Sequence, residues 1–546
     1  MACPASSVCP WIRPGVRVQV IGIRSVAKAA FEGADNVFNR AFTPAWNPLC
    51  HLGTLGWFFY WIVIVSGIYL YIFFDTGINQ AYESLEYLTN VQWYAGGVMR
   101  SLHRYASDAL IIVMMLHLLR EFVMDRYRGS RWFTWFTGVP LLWLVFACGI
   151  SGYWMVWDVL AQYIAIASTE WLDSLGIFGQ SIARNFLNND TLSGRFFTLM
   201  VFIHIAVPLF MLLVMWIHIQ RQRNARVNPP VGLAVGTLGM LLALSLARPA
   251  LSQAPANLDK VPSVIDFDWF YLVAYPLLDT IPGQTLWAIA GGGSLLLLLL
   301  PWLPPGQRRA TASVDLDNCN GCGRCVEDCP FSAVSLQPRT DDAAFSHEAV
   351  VSDNLCTGCG ICVGACPTAT PFRRTSELIP GIDLPDLGIQ ELREKTLSAI
   401  ANLSGNARVV VFGCSHGAGL EQLQGADVAV LKLPCVAMLP PSFIDFMITR
   451  GHVNGVFLTG CADGDCHYRL GIEWTGQRLA GERDPYLRKR VPRERIAESW
   501  AGITRNKRLQ QELRTFQDRL RALPPFKRTP HRSTGVRAGE AAEHHA

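Results

Sequence analysis

The chain has 546 residues, a formal net charge of +4 at pH 7 and 16% charged residues. This length predicts several domains, and the mild net charge gives no reason to expect a nucleic-acid partner. The average composition hides a division, because residues 50–304 are membrane-like and residues 306–546 are of the soluble type. The composition therefore excludes a wholly soluble protein and favours a membrane domain joined to soluble domains.

Composition changes along the chain predict the order of its parts. The first residues bear arginines and lack a compact apolar core followed by a cleavage site, so no cleavable signal peptide is predicted. The predicted parts are a cytoplasmic N-terminal segment with a surface amphipathic helix (1–50), a membrane domain (51–304), a cysteine-rich domain (311–372), a linker (373–408), a C-terminal α/β domain (409–480) and a basic, partly disordered tail (481–546).

Six apolar segments are predicted to cross the membrane, because each is long enough to span a hydrocarbon core of ~30 Å. An even number of spans puts both termini on one side. Arginine clusters follow the second, fourth and sixth segments on that side, which is the cytoplasm by the positive-inside rule. We therefore expect a multi-pass inner-membrane protein of a bacterium or archaeon, with cytoplasmic termini and cysteine-rich domains. The segments are 51–74, 102–124, 135–157, 196–219, 231–248 and 285–304, and the clusters are Arg126, Arg128 and Arg131, then Arg221, Arg223 and Arg226, then Arg308 and Arg309.

Four histidines in two of these segments share one spacing. His103 and His117 are 14 residues apart, as are His204 and His218. At about 100° and ~1.5 Å per residue, each pair lies on one helix face, roughly 21 Å apart along the axis. Both helices run inward, so His103 should pair with His204 near the outer face and His117 with His218 near the cytoplasm. Bis-imidazole ligation saturates iron, which predicts two haem b groups that carry electrons; interhelical hydrogen bonding explains one histidine but not four at matched spacing.

Glycines repeat the same period on two other segments. Gly53 and Gly67 are 14 residues apart, as are Gly138 and Gly152. Glycine at the depth of a haem has a steric reason, since the edge of the macrocycle needs backbone without a side chain. We therefore assign the four glycines to haem binding.

Residues 31–304 resemble the cytochrome b of the quinol-oxidising cytochrome bc and bf complexes. Beyond the histidines and glycines, the likeness extends to Arg100, Arg195 and Pro208, and to the segment from Gly152 to Asp158, in which Val156 stands where proline is usual. The resemblance implies a cofactor-binding role for Arg100, a quinone as substrate, and an assembly that is dimeric if it follows the cytochrome bc complexes.

The loop from Asp266 to Tyr271 resembles the family's quinol-site Pro-Glu-Trp-Tyr motif. Phe267 replaces the proline, Asp268 the glutamate and Phe270 the tyrosine. Oxidising a quinol requires a base, and a carboxylate beside the outer haem is suited to that role. Asp268 is therefore the candidate catalytic residue, although it is one methylene shorter than glutamate. The alternative is that Asp266 and Asp268 are solvated interfacial acids.

Cys50 lies three residues before Gly53. In the bf family a nearby cysteine holds an extra covalent haem, but the spacing here differs by one residue. A buried cysteine without haem is the preferred interpretation.

Two cysteine runs follow the membrane domain, each with the spacing Cys-x2-Cys-x2-Cys-x3-Cys-Pro. They resemble the bacterial two-cluster ferredoxin, in which three cysteines of one run and the fourth of the other hold each [4Fe–4S] cluster. Zinc is the alternative, and the spacing disfavours it. The resemblance implies one cluster on Cys319, Cys322, Cys325 and Cys366, and a second on Cys356, Cys359, Cys362 and Cys329.

Three strand-like runs near the C-terminus each end in a cysteine, at Cys414, Cys435 and Cys461, and Cys466 follows closely. In a parallel sheet these positions share the carboxyl edge of the strands, and four thiolates there suit a [2Fe–2S] cluster. The alternative is that they are buried structural cysteines.

The run from Gly460 to Arg469 resembles the delta subunit of methyl-viologen-reducing hydrogenase through its Gly-Cys-x-x-Gly-Asp-Cys-His-Tyr signature. That family passes electrons between a dehydrogenase or hydrogenase and a flavoprotein of the heterodisulfide-reductase type. His416 stands near the place of a further family cysteine, so it is either without effect or an altered ligand. His467 is assigned beside the site and not as a ligand.

The predicted fold is an all-α transmembrane four-helix haem bundle with two further transmembrane helices, a small α+β ferredoxin domain and a C-terminal α/β parallel-sheet domain. The predicted function is a membrane electron-transfer subunit between a cytoplasmic flavin or metal dehydrogenase and the quinone pool. No Gly-x-Gly-x-x-Gly fingerprint follows a strand, so substrate catalysis is assigned to partner subunits. The alternatives are a membrane anchor and electron wire without its own quinone site, and a cytochrome bc-type quinol oxidase variant with a Rieske or cytochrome c partner.

Overall fold

The computed structural model describes residues 14–177, 179–187, 192–220, 225–304, 310–341, 343–373, 377–524 and 526. The predicted arginines 221, 223, 308 and 309 and most of the predicted disordered tail lie outside this range. The described residues fall into two compact units. The first contains the residues up to 304 with 330–333 and 352–357, and the second contains 310–329, 334–351 and the residues from 358 onward.

The first unit is helical, as predicted for the membrane domain. Helix α2 (Leu52–Phe73) packs along α4 (Val98–Val123), and α5 (Trp132–Val156) packs along α8 (Gly194–Ile219). Apolar side chains such as Leu110, Val145 and Leu272 form the core between them. The helices are α1 Pro14–Trp46, α2 Leu52–Phe73, α3 Gln80–Glu86, α4 Val98–Val123, α5 Trp132–Val156, α6 Val159–Asp173, α7 Ile182–Phe186, α8 Gly194–Ile219, α9 Val231–Ala247 and α10 Gly283–Leu299.

Within the described residues, 4 helical stretches are long and apolar enough to cross a membrane: Pro48–Phe73, Gly129–Val156, Gly194–Ile219 and Gly283–Trp302. A shorter apolar helix covers Val231–Ala247. Helix α4 differs because it carries Arg104, Asp108 and Arg120 among its apolar residues. A multi-pass membrane protein follows from these helices, and the count of six spans stays a prediction.

The second unit contains a parallel sheet with the strand order β6-β5-β7-β8, which confirms the predicted α/β domain. Residues Val409–Phe412 of β5 are fully buried, as expected for a continuous apolar strand covered on both faces. The strands are β1 Ser313–Val314, β2 Val334–Pro338, β3 His347–Val351, β4 Ile382–Asp383, β5 Val409–Cys414, β6 Val428–Leu433, β7 Gly455–Gly460 and β8 Ile496–Trp500. The helices are α11 Arg324–Glu327, α12 Ile361–Ala365, α13 Ile389–Ala401, α14 Pro441–Thr449, α15 Gly471–Ala480 and α16 Asn506–Ala522.

The sheet extends beyond residue 480, where the sequence analysis ended the C-terminal domain. Strand β8 pairs with β7 in parallel register, and Leu509, Leu513 and Phe516 of α16 enter the same core. This part was predicted to belong to the tail because its arginine-rich composition hides the strand of 5 residues. The first half of the predicted tail is therefore part of the folded domain.

A buried ion pair joins α1 to α4. Arg120 and Asp35 are only 2% and 4% exposed, and their charged groups are 2.7 Å apart. The amide of Asn47 donates a further hydrogen bond to Asp35 over 3.1 Å. The pair anchors α1 to α4, the helix that contains His103 and His117.

We predict that Arg120→Met destabilises the protein by about 3–5 kcal/mol, because it leaves the Asp35 charge buried without its partner. The measurement is the apparent melting temperature of the detergent-solubilised protein. The matched control is Arg24→Met, since Arg24 of α1 pairs with the half-exposed Asp125, which lies just beyond the end of α4, and such pairs contribute about 1 kcal/mol or less. Equal shifts for the two variants would contradict the prediction.

Candidate functional site

The outer histidine pair predicted from the sequence is brought together by α4 and α8. The ring centroids of His103 and His204 are 6.2 Å apart. Two imidazoles that bind one metal ion from opposite sides, with metal–nitrogen bonds of about 2 Å, have centroids roughly 6 Å apart. The gap between the rings therefore fits one iron atom. The inner pair is also close enough for His117 and His218 to interact electrostatically.

Hydroxyl groups orient three of the four imidazoles. Ser66 donates its proton to the carbonyl of Ile62 over 2.6 Å, so its oxygen accepts a hydrogen bond from Nδ1 of His103 over 3.2 Å. The carbonyl of Val63 is a second acceptor for this nitrogen, 3.0 Å away. A proton held on Nδ1 leaves Nε2 unprotonated and available to iron.

The same arrangement recurs at two other histidines. Ser151 Oγ lies 3.1 Å from Nδ1 of His204, and Thr137 Oγ1 lies 3.0 Å from Nδ1 of His218. These hydroxyl residues were not predicted from the sequence. Each of them directly precedes a predicted haem glycine, so a Ser-Gly or Thr-Gly pair at that depth could have indicated a residue that orients an imidazole.

The haem glycines face the histidine rings. A Cβ atom at Gly67 would lie 3.0 Å from Cε1 of His103, and one at Gly152 would lie 3.0 Å from Cε1 of His204. The corresponding distances are 3.4 Å from Gly53 to His117 and 3.3 Å from Gly138 to His218. The imidazole ring that lies against each glycine is thus the steric reason for these glycines. From the sequence, only the haem macrocycle was expected to require them.

A cavity of about 1440 Å³ contains the outer histidine pair. Single small-molecule sites commonly measure about 300–1,000 Å³, so this volume exceeds the need of one ligand. Besides His103 and His204, its lining includes Arg100, Arg104, Tyr153, Asp268 and Tyr271. The candidate catalytic carboxylate and the outer haem position therefore share one cavity.

Arg100 lines this cavity and is held by several protein groups. It donates a hydrogen bond to Ser252 Oγ over 2.7 Å, contacts the hydroxyl of Thr89 and lies 3.6 Å from the carboxylate of Glu86. These protein groups fix the guanidinium, and a cofactor-binding role for Arg100 stays a prediction.

Asp268 is buried and faces Arg104. The two side chains form an ion pair, and the backbone N–H of Phe270 donates to Asp268 over 2.7 Å. Arg104 also lies 3.6 Å from Asp108 and stacks 4.6 Å from the ring centre of Tyr153. The alternative of a solvated interfacial acid fits Asp266, which is exposed, and does not fit Asp268.

Cys50 sits beside the buried ion pair of α1 and α4. Its sulfur lies 3.9 Å from Asp35 Oδ1 and 3.9 Å from Nη2 of Arg120. Cys50 is half-buried and therefore less enclosed than the buried cysteine expected from the sequence, and the interpretation without a covalent haem stays a prediction.

Cysteines of the two ferredoxin-like runs come together in the second unit. Burial raises the pKa of Cys325 to about 12, and the neighbouring Cys322, Cys366 and Cys319 contribute to the shift. Cys366 belongs to the second run, so a cysteine of that run lies close enough to Cys325 to interact with it electrostatically, and the crossed ligand grouping inferred from the resemblance stays a prediction. Cys329, Cys359 and Cys362 are buried, and Cys356 is intermediate.

The four C-terminal cysteines also gather at the carboxyl edge of the parallel sheet. The contact with Cys414 raises the pKa of Cys461 to about 12, and the contact with Cys461 raises the pKa of Cys466. A Cβ atom on Gly471 would lie 2.4 Å from the sulfur of Cys435 and 3.5 Å from that of Cys466. Thiols this crowded ionise when a bound cation compensates their charge, which fits an iron–sulfur cluster.

Backbone N–H groups and two imidazoles surround these sulfurs. The N–H of Val436 donates to Cys414 over 3.1 Å, and that of His467 donates to Cys461 over 3.4 Å. The rings of His416 and His467 stack with centroids 3.6 Å apart. Among the described residues, no three His, Cys, Asp or Glu side chains surround a position for a single metal ion.

These features define a class of protein: a membrane electron carrier with half-buried imidazole pairs in its helical unit and grouped thiols in its second unit. Residues 39–225 match the family model of cytochrome b/b6/petB, residues 318–370 that of the 4Fe-4S dicluster domain, and residues 409–524 that of the methyl-viologen-reducing hydrogenase, delta subunit. The fusion inferred from the sequence motifs is thereby confirmed.

Individual relatives agree with the first of these matches. Cytochrome b6 of Porphyra purpurea is 25% identical over 232 residues, which is 41% of this chain and 100% of the relative. The menaquinol:cytochrome c reductase cytochrome b subunit of Geobacillus thermodenitrificans is 28% identical over 175 residues, 31% of this chain and 78% of the relative. A solved structure, "Hyperthermophilic respiratory Complex III", covers 46% of this chain and 74% of its own at 21% identity, with a TM-score of 0.38.

The protein is therefore a multi-pass membrane electron-transfer subunit. Its cytochrome b region implies haem b, and its dicluster region implies iron–sulfur binding.

We predict that Gly152→Val displaces His204 and removes the outer haem, because even the Cβ of a larger residue already lies 3.0 Å from the imidazole. The expected haem content is about half that of the unmodified protein, measured by the pyridine haemochrome assay. The matched control is Gly236→Val on α9, where a Cβ meets nothing within 4 Å. Full haem content in Gly152→Val, or equal loss in both variants, would contradict the prediction.

Proposed function

We propose that this chain is the membrane subunit of a quinone-linked redox complex, in which electrons pass between a cytoplasmic dehydrogenase and the quinone pool. One observation carries the proposal: the buried carboxylate of Asp268 and the imidazoles of His103 and His204 line the same cavity. A quinol bound there would have a proton acceptor and an electron acceptor within one enclosed space.

The proposed cofactors are two haems b on the paired histidines, two [4Fe–4S] clusters on the ferredoxin-like cysteines and one [2Fe–2S] cluster on the C-terminal cysteines, which supply one-electron carriers when bound. The chain's own residues bind and orient them. Ser66, Ser151 and Thr137 keep the Nδ1 proton in place, and glycines seat the rings.

In quinol oxidation two electrons and two protons leave the substrate. Asp268 is positioned to accept a proton, because the ion pair with Arg104 and the N–H of Phe270 fix its carboxylate. Apolar residues such as Val145 and Leu110 line the same cavity and would accommodate the apolar part of a quinol. The relative from Geobacillus thermodenitrificans, whose name specifies menaquinol, supports a quinol as the substrate class.

The C-terminal match supports the partner side of the proposal. A delta subunit of methyl-viologen-reducing hydrogenase is by its name part of a larger redox enzyme. We therefore propose a cytoplasmic flavoprotein of the heterodisulfide-reductase type, a dehydrogenase or a hydrogenase as the partner. In this arrangement both termini and the iron–sulfur domains are cytoplasmic, and the membrane subunit is a dimer like that of the cytochrome bc complexes.

We predict that Asp268→Asn lowers quinol-dependent haem reduction by about 100-fold or more, the usual contribution of a positioned base. The measurement is stopped-flow reduction of the haems by a short-chain quinol, with haem content checked in parallel. Asp266→Asn is the matched control, since it changes an exposed carboxylate of the same loop. Unchanged kinetics with intact haems would mean that the Arg104–Asp268 pair is structural and that the chain is an electron wire without its own quinone site.

We predict that the native complex, isolated anaerobically with mild detergent, contains a soluble flavoprotein together with a dehydrogenase or hydrogenase subunit. Mass spectrometry of the purified complex identifies the partners. A Rieske protein or c-type cytochrome as the sole partner would contradict this prediction and would favour a cytochrome bc-type quinol oxidase.

A further inference from the structure

The second unit contains an arginine buried among cysteine-bearing segments. Arg478 of α15 is 1% exposed. Its guanidinium donates to the carbonyl of Ala437 over 2.8 Å and reaches that of Ile361 at 3.5 Å, and it forms an ion pair with Asp328. An arginine so deeply buried is unusual unless its charge and its donors have partners.

Each partner of Arg478 is a neighbour of a proposed cluster ligand. Asp328 directly precedes Cys329, Ile361 lies between Cys359 and Cys362, and Ala437 follows Cys435 by two residues. The first two partners belong to the second ferredoxin-like set, and the third belongs to the C-terminal set. One guanidinium thus ties together the ligand segments of two different cofactors.

The backbones of these segments are in direct contact as well. A Cβ atom on Gly364 would lie 2.0 Å from the carbonyl oxygen of Ala437, and one on Gly360 would lie 2.9 Å from the sulfur of Met438. Cys359 and Cys435 are close enough to interact electrostatically.

The charge at this junction is positive on balance. Asp328 is 3% exposed, and it forms a second ion pair with Arg483, whose nitrogen lies 2.7 Å away. Arg483 also covers the ring of Trp474 at 4.2 Å. Two guanidinium groups therefore face one buried carboxylate. Arg478 is 1% exposed, so its charge interactions are stronger than in water, whereas the side chain of Arg483 is 25% exposed.

We propose that Arg478 is a positioning residue at a direct electron-transfer contact between the second ferredoxin-like site and the C-terminal cysteine site. This proposal depends on the proposed function only in one respect, the assignment of a [4Fe–4S] cluster to the first of these sites and a [2Fe–2S] cluster to the second. Each transfer oxidises one cluster by one electron and reduces the other by one electron, with no bond made or broken and no proton moved. Arg478 fixes the approach of the two ligand segments, and its charge stabilises the added electron on either side, since nearby charge and hydrogen bonding set cluster potentials.

The test is an EPR-monitored redox titration of the purified full-length protein. In Arg478→Met, we expect the equilibrium constant for reduction to fall about tenfold at both the second [4Fe–4S] and the [2Fe–2S] cluster, which is 59 mV for a one-electron couple. The signal of the set on Cys319, Cys322, Cys325 and Cys366 is the internal reference and should shift less. Arg478→Lys keeps the charge and should restore most of the shift.

A matched control separates this effect from the loss of any buried arginine. Arg495 is 4% exposed and donates to the backbone carbonyls of Asn454, over 3.0 Å, and of Pro524. Arg495→Met should leave all cluster potentials in place. Equal shifts of every cluster in Arg478→Met, or none, would overturn the proposal.

The double variant Asp328→Asn/Arg478→Met covers the case in which Arg478→Met loses iron. The double variant removes the Asp328 carboxylate, which would otherwise be left without Arg478, and returns the junction to its original net charge. The iron content and the reduction potentials of the second [4Fe–4S] and the [2Fe–2S] cluster should therefore recover. Failure of both to recover would assign Arg478 a purely structural role and overturn the proposal. Absence of a two-iron signal from the unmodified protein would instead refute the proposed cofactor set.

Discussion

Close contact between glycine and imidazole is the constraint on which the helical unit depends. Each histidine of α4 faces a glycine of α2, and each histidine of α8 faces a glycine of α5. The ring can lie against the neighbouring backbone only where that backbone has no side chain. The same contacts draw the helices into the pairs α2–α4 and α5–α8. Haem ligation and helix packing are therefore one requirement, imposed at each 14-residue step.

Charges placed within this apolar unit are paired, which is expected where water is scarce. Arg120 and Asp35 join α1 to α4, while Arg104 joins Asp268 of the loop before α10 to α4. The second pair lines the cavity that also contains the outer imidazoles. The same ion pair stabilises the loop and orients the carboxylate of Asp268 toward the cavity. A purely structural role and a role as a proton acceptor therefore differ only in the reaction kinetics that they predict for a variant of Asp268.

Features that arise from local geometry were predictable from the sequence. The 14-residue spacing of His103 and His117 fixes a helix face without any knowledge of the tertiary structure. The spacing within the cysteine runs likewise indicates iron–sulfur ligation. The apolar strands before Cys414 and Cys461 predicted the parallel sheet in the same way. Strand β8 was missed because its five residues give almost no periodic signal, and its place in the sheet is set by pairing with β7.

Contacts between distant parts of the chain were beyond such arguments. Arg478 and Asp328 are 150 residues apart, and nothing in the spacing of either residue indicates the other. Gly364 and Gly471 are similar cases: Gly364 lies near the end of α12 and Gly471 begins α15, and each makes room for a segment far away in sequence. In both units the missing side chain of a glycine allows a cofactor-bearing segment to approach its neighbour. A larger residue at these positions would have to push the two segments apart, which would both lengthen the distance between the proposed electron carriers and destabilise the fold.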